Sequence, residues 1–288
     1  MSYQFLPLYG DQEIPFDDPE FSKQKTTYST NFNGGQVDKK PYIMAFEVDD
    51  PEFVALIYPG GGYFACSNAA SVRVAEELNR RNVTAFVFSY RTGNRKEPES
   101  SFNFKAIIQD GIRGVQYVRD YMNKKGISYK KLVSIGFSAG GHLALTVSLG
   151  AEEFNSMHDE VGGLSSIPDA VFVGYPCTTF GEGAFPSLLP IFSVRESDET
   201  RKFLCERFTL MSRVNEKTPP TFLFYGTADR AVPPEFNAIP YYFALRGAGV
   251  ETMILGFENV GHGVGLATGS CAESWLPDAI AWLRERVL

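Results

Sequence analysis

Histidine is scarce in this chain: His142, His158 and His262 are the only three in 288 residues. Imidazoles so far apart form no ligand cluster. Four scattered cysteines (Cys66, Cys177, Cys205, Cys271) add no metal-binding spacing, so no metal is expected. Thiols in that pattern suit a reduced, cytoplasmic protein. Residues 1–10 lack the basic and apolar stretches of a signal peptide. The longest apolar runs, such as residues 53–58 and 85–88, are far too short to cross a bilayer, so no membrane partner is expected. Positive charge is also in deficit. Lys and Arg number 27 against 34 Asp and Glu, and the basic pairs (Arg80-Arg81, Lys124-Lys125, Lys130-Lys131) are short. A net charge of -7 argues against nucleic acid, because nothing broad would neutralise phosphates. Gly60-Gly61-Gly62 lacks both the Lys-Ser/Thr of a phosphate-binding loop and the spacing of a dinucleotide fingerprint, so no nucleotide and no other cofactor is implied.

What the chain does have is aromatic bulk, 24 Phe and 14 Tyr, enough for an aromatic-rich core or pocket. It also has rhythm. Runs at 43–48, 53–58, 83–89, 132–136, 171–174, 221–225 and 252–257 read as strands. Helical periodicity appears at 71–81, 106–125, 140–149, 236–246 and 274–286, with Gly126 placed to end the second and Pro240 expected to break the fourth. The stretch to about residue 33 reads as an irregular arm with an early strand. Alternating strands and helices predict an α/β fold, a mostly parallel sheet with helices on both faces. Length allows one domain over 1–288. Residues 178–218 are too long for a plain connection and are expected to form a cap over the carboxyl edge of the sheet; the alternative is an excursion packed on the side of the domain.

The strongest local signal is Gly136-Phe137-Ser138-Ala139-Gly140-Gly141-His142, set between an apolar run and a helical pattern. In that strand–turn–helix context it is a nucleophile elbow, which lifts a serine hydroxyl above the sheet. Ser138 needs a base. His142 is too near in sequence and is expected to be structural, losing little activity when replaced. His158 lies in an acidic, polar stretch. His262 lies just past the last strand, where loops converge on the elbow. Asp229 follows the strand at 221–225 and is the expected orienting carboxylate; Glu196 and Asp198, which follow no strand, are weaker candidates. Pro59-Gly60-Gly61-Gly62-Tyr63 follows another buried run. Its amides at Gly61 and Gly62, with that of Ala139, suit an oxyanion hole.

These motifs, together with Ser89-Tyr90-Arg91, Tyr225-Gly226-Thr227-Ala228-Asp229 and Gly261-His262-Gly263, resemble the carboxylesterase and lipase-like α/β hydrolases related to hormone-sensitive lipase, nearest to the bacterial acetyl-xylan-esterase-like branch associated with endo-xylanases. The resemblance runs from about Pro41 to the C-terminus. It implies a Ser138–His262–Asp229 triad and an oxyanion hole from Gly61, Gly62 and Ala139. One departure is Pro59, where much of the family has His before the three glycines; backbone donors should survive that change. The expected activity is hydrolysis of short-chain carboxylic esters. The partner is a small ester, with an acetylated oligosaccharide as one candidate and a homodimer as another association left open. Tyr63, Phe64, Tyr90 and Phe180 are expected to bind substrate, with Phe185 and Arg91 nearby. The rival readings are a peptidase or acylaminoacyl hydrolase of the same fold, and a non-catalytic binding protein on a hydrolase scaffold.

Overall fold

Continuous apolar runs become central strands buried on both faces, as at Val54–Tyr58 and Leu132–Phe137. The computed structural model describes residues 3–16, 41–93, 103–180 and 198–288. Within them eight strands, β1 Gln4–Pro7, β2 Tyr42–Phe46, β3 Val54–Tyr58, β4 Thr84–Ser89, β5 Leu132–Phe137, β6 Ala170–Gly174, β7 Thr221–Gly226 and β8 Thr252–Phe257, form one sheet in the order β1-β2-β4-β3-β5-β6-β7-β8. The β1–β2 and β2–β4 pairs are antiparallel; every other neighbouring pair is parallel.

The described residues form six α-helices: α1 Asn68–Asn79, α2 Phe104–Lys125, α3 Ala139–Ser148, α4 Asp198–Phe208, α5 Ala238–Gly247 and α6 Trp275–Arg286. Alternate residues of each strand pack on opposite layers. Leu56 and Tyr58 join Ile108, Ile112 and Val115 of α2 and Leu143 of α3. Ala55 and Ile57 join Val72 and Leu78 of α1 and Leu276 and Ile280 of α6. Each such large apolar side chain, once fully buried, contributes about 1.5–3 kcal/mol. Gly126 closes α2 in the left-handed conformation, as its position predicts.

Pro240 does not break a helix. The helix expected at 236–246 starts at Ala238, which puts Pro240 in the first turn, where a missing N–H leaves no bond unmade. The N-terminal arm is held by a buried ion pair. Arg91 Nε and Nη2 donate to both carboxylate oxygens of Asp110, Arg91 Nη1 reaches the Pro15 carbonyl, and the Tyr9 hydroxyl donates to Asp110 Oδ1 at 2.7 Å. Burial and the Asp110 carboxylate hold the Tyr9 hydroxyl well above its ordinary range.

The sheet order fixes where a site can form. From β3 the chain passes through α1 to β4 on one side, then crosses through α2 to β5 on the other. β3 therefore lies between β4 and β5, and the loops leaving the carboxyl ends of β3 and β5 part in opposite directions. Ligands of open α/β sheets sit in that crevice.

Candidate active site

Tyr58 of β3 pairs with Gly136 of β5, so the two chains leave the sheet side by side. β5 turns into α3 within one residue, and Ser138 at that turn has φ 54 and ψ −121. A serine at positive φ is strained and persists only where the surroundings dictate it. Here the Ser138 N–H donates to the Gly174 carbonyl, and the Ser138 carbonyl accepts from the amides of His142 and Cys177. The flanking glycines explain how helix and strands fit so closely: a Cβ on Gly140 would stand 2.2 Å from the Tyr58 carbonyl oxygen. Across the crevice, Gly61 has φ 138, and a Cβ there would meet the Ala65 carbonyl oxygen at 2.0 Å. Only glycine permits that turn.

Two loops from further along the sheet complete the arrangement. Asp229, after β7, has a fully buried side chain. Its Oδ1 accepts from the amides of Ala231 and Val232, and its Oδ2 lies 2.7 Å from His262 Nδ1. His262, after β8, places Nε2 2.9 Å from Ser138 Oγ. A carboxylate only accepts, so Nδ1 carries the imidazole proton and Nε2 presents a lone pair to the Ser138 hydroxyl. An imidazole held this way can remove the serine proton and pass it on.

Ser138 and His262 open into a cleft of about 490 Å³ whose walls include Gly61, Gly62, Phe64, Phe137, Ser71 and Tyr175. Of the four residues expected to bind substrate, the cleft wall contains Phe64 alone. Tyr63, Tyr90 and Phe180 are 1%, 0% and 1% exposed and do not line it. Tyr63 turns beneath its own loop, edge-on to Tyr90 and His142. The Tyr90 hydroxyl donates to the Pro59 carbonyl at 2.6 Å, and Phe180 packs on His142. Arg91, committed to Asp110, offers nothing to a ligand. Phe185 and Glu196 lie outside the described residues.

Sequence reasoning missed Tyr175, which follows the carboxyl end of β6. Its ring stands edge-on to His262 with centroids 4.9 Å apart, and its hydroxyl accepts from the Gly265 amide. Trp275 Nε1 donates to the Gly265 carbonyl, so the loop carrying His262 is pinned from both sides. A tyrosine directly after a strand adjoining the elbow strand is the one sequence signal that pointed to it.

The other two histidines are elsewhere. His158 is exposed. His142 is buried, and burial, together with the Arg207 charge, outweighs its bond to the Phe208 carbonyl and pushes the imidazole down to about 4. The unfolded chain takes up that proton in the ordinary histidine range, near 6.5. The unfolded state therefore binds more protons between those values, and the folded state loses about 3 kcal/mol as the pH falls from about 6.5 to about 4. Asp159 is held well below the usual carboxylate range, first by Arg113, so its contribution is lost only at still lower pH. Urea midpoints at pH 7.0 and 4.5 should differ clearly in the wild type and much less in His142→Leu. Equal differences in the two proteins would contradict this assignment.

Comparison with known proteins agrees with the fold. Residues 45–180, which carry both the glycine loop and the elbow, match the BD-FAE family. The chain is 29% identical to endo-1,4-beta-xylanase B of Butyrivibrio fibrisolvens over 76% of its length and 34% of that protein's. It is 27% identical to an acetylxylan esterase of Xylanibacter ruminicola, over 86% of this chain and 48% of that one. The chain thus spans a third to a half of the curated relatives it matches. The crystal structure of an acetyl ester-xyloside bifunctional hydrolase from Caldicellulosiruptor lactoaceticus superposes with a TM-score of 0.80 at 26% identity, covering 98% of this chain and 96% of that one. No helix among the described residues is long and apolar enough to cross a membrane.

Proposed function

We propose that this chain, whose residues 45–180 match the BD-FAE family, is a carboxylic ester hydrolase that removes short acyl groups, acetyl above all, from a carbohydrate. The observation that carries this reading is the hydrogen-bonded series Ser138 Oγ, His262, Asp229 at 2.9 and 2.7 Å, opening into a cleft beside Gly61 and Gly62. Ser138 Oγ attacks the acyl carbon while His262 Nε2 takes its proton. The amides of Gly61, Gly62 and Ala139 receive the developing oxyanion. Collapse of that intermediate breaks the ester bond, and the departing alcohol takes the proton from His262. Water then repeats the sequence on the acyl-enzyme and releases the acid. Asp229 keeps the ring in the working tautomer and favours the imidazolium.

The short-acyl preference rests on the walls of the cleft. Phe64, Phe137 and Tyr175 put aromatic rings on the wall of the cleft that holds Ser138, and one cleft must hold both the acyl group and part of the alcohol. The sugar preference is supported by two relatives that are a xylanase and an acetylxylan esterase and by a structural neighbour that is an acetyl ester-xyloside hydrolase. Residues 178–218 are taken as a cap on a single hydrolase domain. Phe180 and Phe208 of that segment both pack on His142 of α3, which joins it to the hydrolase core.

Each methylene the cleft cannot accept should cost about 1–3 kcal/mol in discrimination. kcat/KM should therefore fall steeply along 4-nitrophenyl acetate, butyrate, octanoate and palmitate, and acetate should be released from an acetylated xylo-oligosaccharide. Preference for octanoate or palmitate would overturn the short-acyl assignment. Absence of acetate release would remove the sugar assignment and leave a short-chain esterase.

A further inference from the structure

The imidazole of His142 takes no part in the steps above, yet three parts of the site meet on it. It is the fourth residue of α3, and its backbone N–H donates to the Ser138 carbonyl at 3.0 Å. Its Nδ1 lies 2.7 Å from the Tyr63 hydroxyl, and its Nε2 lies 3.1 Å from the Phe208 carbonyl at the end of α4. A carbonyl only accepts, so Nε2 carries the proton, and Nδ1 of the neutral ring accepts a hydrogen bond from the Tyr63 hydroxyl. Phe180 and Phe208 close over the ring, with centroids 4.7 and 5.9 Å away.

Tyr63 is the residue directly after Gly61 and Gly62, and it has φ 62. A bulky residue in the left-handed region persists only when its surroundings over-determine it. Those surroundings are the bond to His142, the Gly93 amide donating to the Tyr63 carbonyl at 2.9 Å, and the edge-on contact with Tyr90.

We propose that His142 is a positioning residue for the ester hydrolysis: through Nδ1 it fixes Tyr63, and through Tyr63 it fixes the Gly61 and Gly62 amides where the oxyanion develops. This rests on the function proposed above. His142 exchanges no proton with substrate. It ties the elbow helix, the oxyanion loop and the end of α4 to one another. The expectation that its replacement would cost little activity is thereby revised. A donor aimed at the transition state and not at the bound ester acts on kcat more than on KM.

Four variants test this: Tyr63→Phe, which removes only the hydroxyl; His142→Leu; the two combined; and His142→Asn, whose carboxamide oxygen can accept from Tyr63 near the Nδ1 position. Tyr63→Phe should lower kcat on 4-nitrophenyl acetate by about 10- to 100-fold, less than the loss of a whole oxyanion donor, with KM within about twofold. The double variant should be no worse than His142→Leu, and His142→Asn should recover most of the rate. Amide hydrogen exchange over residues 60–64, which needs no activity, should quicken in Tyr63→Phe and return toward wild type in His142→Asn. Imidazole ¹⁵N spectra should show His142 protonated at Nε2. If His142→Leu does not fold, Tyr63→Phe alone decides. Wild-type kcat in Tyr63→Phe, losses that simply multiply in the double variant, or unchanged exchange would each overturn the proposal. A wild type that hydrolyses no ester would sink the proposed function instead, and the exchange data would still decide whether His142 holds the loop.

Discussion

Ser138→Ala should give a folded protein with no measurable ester turnover. Alanine keeps the Cβ that already fits between the two glycine-bearing turns, so nothing new has to be accommodated beside Gly60. The backbone bonds that impose φ 54 (to Gly174, His142 and Cys177) involve no side-chain atom and remain. What goes is the hydroxyl that His262 Nε2 reaches. Loss of the nucleophile in a comparable triad costs on the order of a million-fold in kcat, and the residual rate comes from the oxyanion donors and binding alone. The check is kcat for 4-nitrophenyl acetate alongside the melting temperature. A fluorophosphonate should add covalently to the wild type at Ser138 and leave the variant unmodified. Near-wild-type turnover in a folded Ser138→Ala protein would remove Ser138 from the mechanism.

How much of this was legible beforehand depends on which physical constraint each feature obeys. The strands were legible because burial on both faces demands uninterrupted apolar runs, as in residues 54–58 and 84–89. The elbow was legible because close packing of α3 on β3 leaves no room for a Cβ at Gly140. The meeting of Ser138, His262 and Asp229 followed from the rule that loops at one edge of a parallel sheet converge.

Side-chain direction in the loops was not legible. Tyr63 was expected in the cleft because it follows the oxyanion glycines. Its left-handed backbone instead turns the ring beneath the loop, and no periodicity encodes that. Tyr90 and Arg91 stand at a strand end that faces the site, but their polar atoms are taken by Pro59 and Asp110. Asp110 is 19 residues away on another element, and such a pairing has no local signature. The helix around Pro240 starts two residues later than its periodicity suggests, enough to put the proline in the first turn and leave the helix intact. These misses share a cause. Partners distant in sequence, not local pattern, decide where a polar tip or an aromatic ring ends up.

Replacement of His262 by alanine should be nearly as damaging as loss of Ser138, on the order of a million-fold in kcat, because either deletion disables the same unit. Neither of the other histidines can substitute. His158 is exposed in the stretch before β6, and both ring nitrogens of His142 are already engaged, by Tyr63 and Phe208. The fold should tolerate the change. The Asp229 carboxylate keeps its two amide donors from Ala231 and Val232, and the loop that carried the imidazole stays pinned at Gly265 by Tyr175 and Trp275. The space left by the ring opens into the cleft and not into a dry core, since the His262 side chain is 25% exposed. Water can therefore reach the Asp229 oxygen that His262 leaves behind. Two signatures separate loss of a base from general damage. Fluorophosphonate labelling of Ser138 should slow in step with turnover. Added free imidazole should recover part of the rate, because the vacated position is open to solvent and still faces Asp229. A folded His262→Ala protein with more than about a tenth of wild-type kcat would assign the base elsewhere and dismantle the triad, since a positioned general base contributes at least about a hundredfold.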